Sequence, residues 1–380
     1  MPSIISKIAR GLSRAAVGLA LCALPTAASA YQLVKVDSGY ADAMDIRLAP
    51  GNSQLLFVTD KSGQVYVLKN EKREATPFID ISSLVLNEGE RGVLSMALAP
   101  DYATSRRFYI DYVNLKGDIE IDEFMRYKSS ELKASLASRR KVLVIPHSQY
   151  IYHNGGQLQF DANGLLYISV GDGSTDPQGI FAVNLNSMLG KVLRINPLPK
   201  GTKAYQIPPG NPFVGVAGDD RIFAYGLRNP FRFSIADNVF TLADVGQDAW
   251  EEVNIRKFAS VRGMNFGWPQ YEGRALHDST RPGAATAAMP ALAYGHTDGR
   301  CAIIGGVIIQ DPGLPKLKGR YIYGDFCTGE LRTFLPDLVK NKAVGDAALG
   351  LSLPYFNAFG VGANNQLYVA DKGNLYRIEP

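Results

Sequence analysis

The chain has 380 residues, 46% of them hydrophobic, with 40 Lys+Arg against 36 Asp+Glu for a formal charge of +4. Lys7, Arg10 and Arg14 lie in the first thirty residues, which hold no acid, so the remainder stands near +1 (4 − 3). That balance removes the electrostatic case for a nucleic-acid or anionic-membrane binder.

Residues 1–30 read as a secretory signal. A basic start is followed by an apolar run from Ala15 to Leu24, and small residues at Ala28 and Ala30 predict cleavage before Tyr31. The run is short for a bilayer span, so no membrane anchor is expected after cleavage, and the location is periplasmic or secreted. Beyond it only Cys301 and Cys327 remain, which in an exported chain points to one disulfide.

Helical periodicity is scarce. Helices are expected at most near Ser129 to Arg140 and Gly179 to Leu189. Elsewhere short runs of Val, Ile, Tyr and Phe are cut by Gly, Pro, Asn and Asp, the pattern of strands and tight turns. The runs recur as units: "DIRLAPGNSQLLFVTDKSGQVYVL" from Asp45, "VLSMALAPDYATSRRFYIDYV" from Val93, "GQLQFDANGLLYISVGDGS" ending at Ser174, "FRFSIADNVFTLADVGQDAWEEVNI" from Phe231, "GGVIIQDPGLPKLKGRYIYGDFCTGELRTF" from Gly305 and "FGVGANNQLYVADKGNLYRI" from Phe359. Units roughly fifty to sixty residues apart predict an all-β fold for residues 31–380, a six-bladed β-propeller of four-stranded antiparallel blades. The last unit is one strand short, and Tyr31 to Val36 are expected to supply its outer strand.

In such a blade the loop entering the first strand and the loop leaving the second open on one face. In the third unit the turn Asp161-Ala162-Asn163-Gly164 predicts a hairpin in which Phe160 faces Leu165. Continued outward, His153 falls beside Asp172 at the channel mouth. A carboxylate beside an imidazole fixes its tautomer and suits it as a general base. A turn cap at His153 and local amide contacts at Asp172 are the plain alternative. The same face receives Arg228 and Asn229 of "GLRNP". It also receives "DVGQDAWEEV", where Asp248, Glu251 and Glu252 flank a Gly turn that reads as a Ca²⁺ site or as a solvated acidic loop. Trp268 and Tyr271 follow, for stacking on a ring or for packing under a loop. Cys301 and Cys327 bracket the fifth unit's hairpin and are expected to pair. His147, His277 and His296 read as structural.

With these motifs in view, the chain resembles the soluble quinoprotein glucose/sorbosone dehydrogenase family, which includes aldose sugar dehydrogenases, and the branch with the propeller of Hedgehog-interacting proteins. "HNGGQLQFDANGLLYISVGDG", "NLNSMLGKVLRIN", "IPPGNPF", "YGLRNPFRFS", "DVGQDAWEEVN" and "NFGWPQYEG" carry the resemblance in family order. It implies pyrroloquinoline quinone (PQQ) and Ca²⁺ in the top cleft, and oxidation of an aldose at C1 to the lactone with electrons passed on to an external acceptor. By motif, His153 is the base, Asp172 orients it, and Arg228 with Asn229 meets the quinone. The carbonyls of Gly246 and Gln247 hold Ca²⁺, with Asp248 and Glu252 nearby, and Glu90 contributes a sugar or cofactor contact.

The sequence departs from the family at the cations that clamp the quinone carboxylates. "YGDFCTGELR" places Cys327 and Thr328 where the family has arginines, leaving Arg300, Arg332 and Lys372 as the substitutes. Two other functions fit the same face: a non-catalytic glycan- or protein-binding propeller, and a Ca²⁺-dependent lactonase.

Overall fold

The structure, a computed structural model, describes residues 30–174, 179–283 and 285–380. The expected signal lies outside them apart from Ala30. Alternating apolar residues in the short runs give each hairpin two faces to cover, and stacking hairpins on one another covers both. Among the described residues the result is six antiparallel blade sheets in chain order, with a separate two-stranded sheet of Tyr271–Glu272 and Ala275–Leu276.

Blade two is Val93–Leu98, Arg107–Val113, Ile119–Arg126 and Ala134–Ile145. Blade three is Leu158–Phe160, Leu166–Val170, Lys191–Ile195 and Ile222–Tyr225. Blade four is Pro230–Ala236, Val239–Asp244, Trp250–Lys257 and Leu292–Gly295, and blade five runs from Ile303–Ile308 to Lys342–Ser352. Blade one begins at Ala43–Ala49, and its outer position is split between Lys72–Arg73 and Ile79–Asp80. Blade six closes the ring as expected: Gln32–Ser38 pairs with the C-terminal strand Asn374–Glu379.

Each pair of neighbouring blades encloses its own apolar cluster. Phe57 and Phe108 meet between blades one and two, Tyr109 and Leu193 between two and three, Tyr167 and Phe240 between three and four, and Val253 and Tyr321 between four and five. Ile322 and Val369 join five to six, and Tyr368 and Val58 join six to one. The apolar interior is therefore distributed around the ring, leaving the axis to polar groups. There Arg232 of blade four is buried and donates to the carbonyls of Met44 at 2.6 Å, Gly156 at 3.2 Å and Asn357 at 3.2 Å. One guanidinium thus ties blade four to blades one, three and six.

The expected helices do not form. Ala134–Ile145 is the outer strand of blade two, paired with Ile119–Arg126, because the third strand's open edge must be hydrogen-bonded and that demand outweighs the modest helix propensity of the segment. Residues 179–190 form turns. The third hairpin is one residue off the expected register: Phe160 faces Leu166, not Leu165.

Candidate functional site

The hairpin turn of blade three is set locally. Asp161 Oδ1 accepts the amides of Asn163 and Leu165, and Gly164 takes φ +77°. Its strands carry the two ends back to the channel mouth, where His153 Nδ1 lies 2.7 Å from Asp172 Oδ1. The one-residue register difference is absorbed before the site, in the glycine-rich approach. Gly171 makes this possible: a Cβ there would come within 2.0 Å of the His153 carbonyl oxygen.

Asp172 is held from every side. Its Oδ1 also accepts the Ser174 amide at 2.9 Å, and its Oδ2 accepts the Trp268 indole N–H at 2.8 Å. A carboxylate that already accepts two N–H groups accepts the Nδ1–H of the imidazole as the third, so the remaining ring nitrogen, Nε2, carries the lone pair. His153 itself sits at φ +55°, a conformation that a non-glycine residue keeps only when its surroundings fix it. Glu90 fixes the amide, accepting it at 2.9 Å, and His147 Nε2 meets the carbonyl at 3.3 Å. Burial pulls His147 down to about 4, against its contact with that carbonyl, which keeps it neutral and a donor at Nε2.

Asp244 positions the next two residues. Its carboxylate accepts the amides of Arg228 at 2.9 Å and Asn229 at 2.7 Å. The Arg228 carbonyl in turn receives the Asp172 amide at 2.8 Å, so one backbone link joins the two blades' loops. The Arg228 guanidinium donates to Gln247 and to the Val245 carbonyl and lies 5.8 Å from the Trp268 ring centre. Asn229 Oδ1 accepts the Gly155 amide at 3.1 Å, which makes it a brace for the His153 loop.

The loop expected to bind Ca²⁺ is organised around Glu272, from outside the loop. Glu272 Oε1 accepts the amides of Gln247, Asp248, Ala249 and Trp250 at 2.7 to 3.1 Å. Burial opposes its charge, but the four amides together pull its carboxyl below the ordinary value. Glu252 faces inward to Asp244 and Asn254. Burial and the Asp244 charge push it well above the usual carboxyl range, and burial pushes Asp244 up to about 7. Among the described residues no three His, Cys, Asp or Glu side chains gather into a metal-binding group. Asp248 and Glu252 therefore form no carboxylate cage, and a Ca²⁺ ion here would rely on carbonyls such as those of Gly246 and Gln247. Glu251 pairs with His296 at 2.6 Å, a contact that the sequence pattern left unassigned.

The expected cation clamp is divided. Arg300 is paired with Glu330, and Arg332 with both Glu330 and Asp346, at 2.7 to 2.9 Å. Lys372 lies 5.5 Å from the Tyr355 ring centre, in the loop that also receives the Ala43 amide. Lys61, overlooked in the sequence, reaches the Gly89 carbonyl and lies 3.9 Å from Asp42. Lys61, Arg228 and Lys372 all belong to loops on the His153 face. Cys301 and Cys327 are disulfide-bonded, with Cα atoms 5.7 Å apart, as expected.

Residues 41–348 match the family model described as Glucose / Sorbosone dehydrogenase. The chain is similar to the HIPL2 protein of Arabidopsis thaliana, with 27% identity over 87% of this chain and 60% of that one. It is also similar to the aldose sugar dehydrogenase YliI of Escherichia coli strain K12, with 29% identity over 58% of this chain and 57% of that one. The chain thus spans about 60% of the length of these curated relatives. Among solved structures, the PQQ-bound form of an aldose sugar dehydrogenase from Streptomyces coelicolor superposes with a TM-score of 0.72 at 20% identity, covering 94% of this chain and 99% of that one.

Proposed function

Because this chain belongs to the Glucose / Sorbosone dehydrogenase family, we propose that it is an exported oxidoreductase that converts an aldose to its lactone, with hydride leaving C1 for pyrroloquinoline quinone. The observation that carries this reading is the His153–Asp172 pair, in which Nδ1 is committed to the carboxylate and Nε2 is left as the basic nitrogen. His153 Nε2 takes the C1 hydroxyl proton. Asp172 holds the ring and stabilises the imidazolium that results. Arg228 offers a positive charge to the oxygen on which negative charge develops.

The residues present fit an anionic quinone. Lys61 and Lys372 would meet its carboxylates, and the carbonyls of Gly246 and Gln247 would hold Ca²⁺. Pyrroloquinoline quinone, when bound, supplies a two-electron acceptor, which an external oxidant must then restore. The disulfide supports an oxidising compartment, periplasmic or extracellular.

One observation favours a second reading, a non-catalytic binding propeller: Arg300 and Arg332 are neutralised by Glu330 and Asp346, which weakens the clamp. Calorimetric titration of the protein with PQQ and Ca²⁺ separates the two. Tight, Ca²⁺-dependent binding followed by lactone formation supports the dehydrogenase. Absence of binding at millimolar Ca²⁺ overturns it in favour of the binding module. His153→Ala retaining full quinone-dependent turnover would remove His153 as the base.

A further inference from the structure

Lys191 has no part in the chemistry above, yet it is buried to 0% exposure at the start of a blade-three strand, paired with Val170 two residues before Asp172. Its Nζ donates to the carbonyls of Phe181 at 2.7 Å, Ala182 at 2.9 Å and Leu189 at 2.7 Å. Three protons meet three carbonyls, which is the hydrogen-bonding pattern of an ammonium ion and not of a neutral amine. Among the described residues, Asp172 and Asp219 act on it through their charge. Asp219 is already paired with Arg221, whereas among the described residues Asp172 has no Lys or Arg ion pair, its one such contact being His153. Burial pulls Lys191 down to about 7, with both acids opposing.

We propose that Lys191 is a positioning residue of the His153–Asp172 pair: its buried ammonium ties residues 181–189 beneath the site and supplies the fixed positive charge behind Asp172. This rests on the reading of His153 as the base, although the charge coupling itself can be measured without turnover. Among the described residues, the other charged or titratable groups around the pair include Glu90 at the His153 amide, His147 at its carbonyl, Asp244 behind Arg228, Arg228 itself, and His277 on the far side of Trp268. Removing the ammonium leaves that environment more negative, so a proton is held more tightly on the imidazole.

The test is Lys191→Met, which fills the same volume with an unbranched apolar chain. The chain has four histidines, and their imidazole signals can be followed by NMR against pH in the protein without cofactor. The His153 signal should titrate at a pH higher by about half a unit or more, with His277 and His296 unmoved. If wild-type protein turns over sugar with PQQ, the acid limb of its kcat profile should move the same way. A His153 titration that stays in place while stability falls makes Lys191 a loop anchor only and overturns the proposal.

Should Lys191→Met fail to fold, Asp172→Asn in ¹³C-lysine-labelled protein reads the same coupling from the other end, since coupling is reciprocal. The buried lysine should then deprotonate at lower pH, and no change overturns the proposal. Absence of any wild-type turnover removes the dehydrogenase reading, but leaves these NMR outcomes to decide Lys191.

Discussion

Asp172→Asn gives the sharpest test of the proposed base, because the exchange keeps shape and changes only charge and one donor. Asp172 accepts from His153 Nδ1, from the Ser174 amide and from the Trp268 indole. An asparagine has one accepting oxygen and one donating NH₂, so either orientation sets an N–H against an N–H. With NH₂ toward Trp268, the indole loses its acceptor. With NH₂ toward His153, the Ser174 amide loses its acceptor and the imidazole must carry its proton on Nε2, where the base is needed. A stranded buried N–H costs about 1–3 kcal/mol, a loss measurable by urea denaturation. The catalytic loss is larger. An asparagine behind a histidine base holds the wrong tautomer and withdraws the charge that stabilises the imidazolium, a change worth on the order of 10⁴ in kcat in a serine-protease triad. That corresponds to about 5.5 kcal/mol of transition-state stabilisation. The assay is kcat and KM for an aldose with PQQ, Ca²⁺ and a dye acceptor. KM should change little, because the substituted atoms lie behind the ring. A variant that keeps more than about a tenth of wild-type kcat would show that the pair is not the base, and the reasoning from Nδ1–Asp172 geometry would fail.

Other consequences follow from single residues. Arg232→Met leaves the carbonyls of Met44, Gly156 and Asn357 without their shared donor, and chemical denaturation should show a loss of at least about 1–3 kcal/mol. Glu272→Gln replaces a charged acceptor of four amides and should cost about 1.5–3 kcal/mol near neutral pH. Because the folded-state carboxyl is depressed, its contribution is present above the unfolded pKa and is lost as pH falls through the folded one. The gap between wild type and variant should therefore close on acidification. Reducing Cys301–Cys327, which are 26 residues apart, should cost about 3.5 kcal/mol by loop-closure entropy, read as a lower midpoint in denaturant with thiol reductant. Chelating Ca²⁺ should abolish quinone-dependent turnover while leaving the fold intact, since no carboxylate cage is built around the ion among the described residues. Collapse of the circular dichroism spectrum on chelation would contradict that.

The sequence alone determined what depends on neighbours along the chain. Alternation within each run and the turn residues between runs specify hairpins, and their recurrence specifies a ring of blades. Hairpin geometry also brought His153 to Asp172 despite a register off by one, because flexible glycines absorb the difference. The cysteine pair was legible for the same reason, since both partners belong to one hairpin. What only the tertiary structure decided involves contacts between blades or loops far apart in sequence. Trp268 reaches Asp172 across 96 residues, and Arg232 reaches Met44 across 188. Glu272 organises the loop from Gln247 to Trp250, and Lys191 is caged by carbonyls, which leave no trace in side-chain patterning. The segment from Ser129 to Arg140 shows the same limit from the other side. Its residues tolerate a helix, but an unpaired strand edge beside them, visible only once blade two is assembled, decides for a strand. Arg300 and Arg332 were legible as cations, but whether their charge is free depends on Glu330 and Asp346, which only the packed blade brings into contact. Local periodicity fixes elements and their order, whereas the state of a buried charge is fixed by whatever the fold places around it.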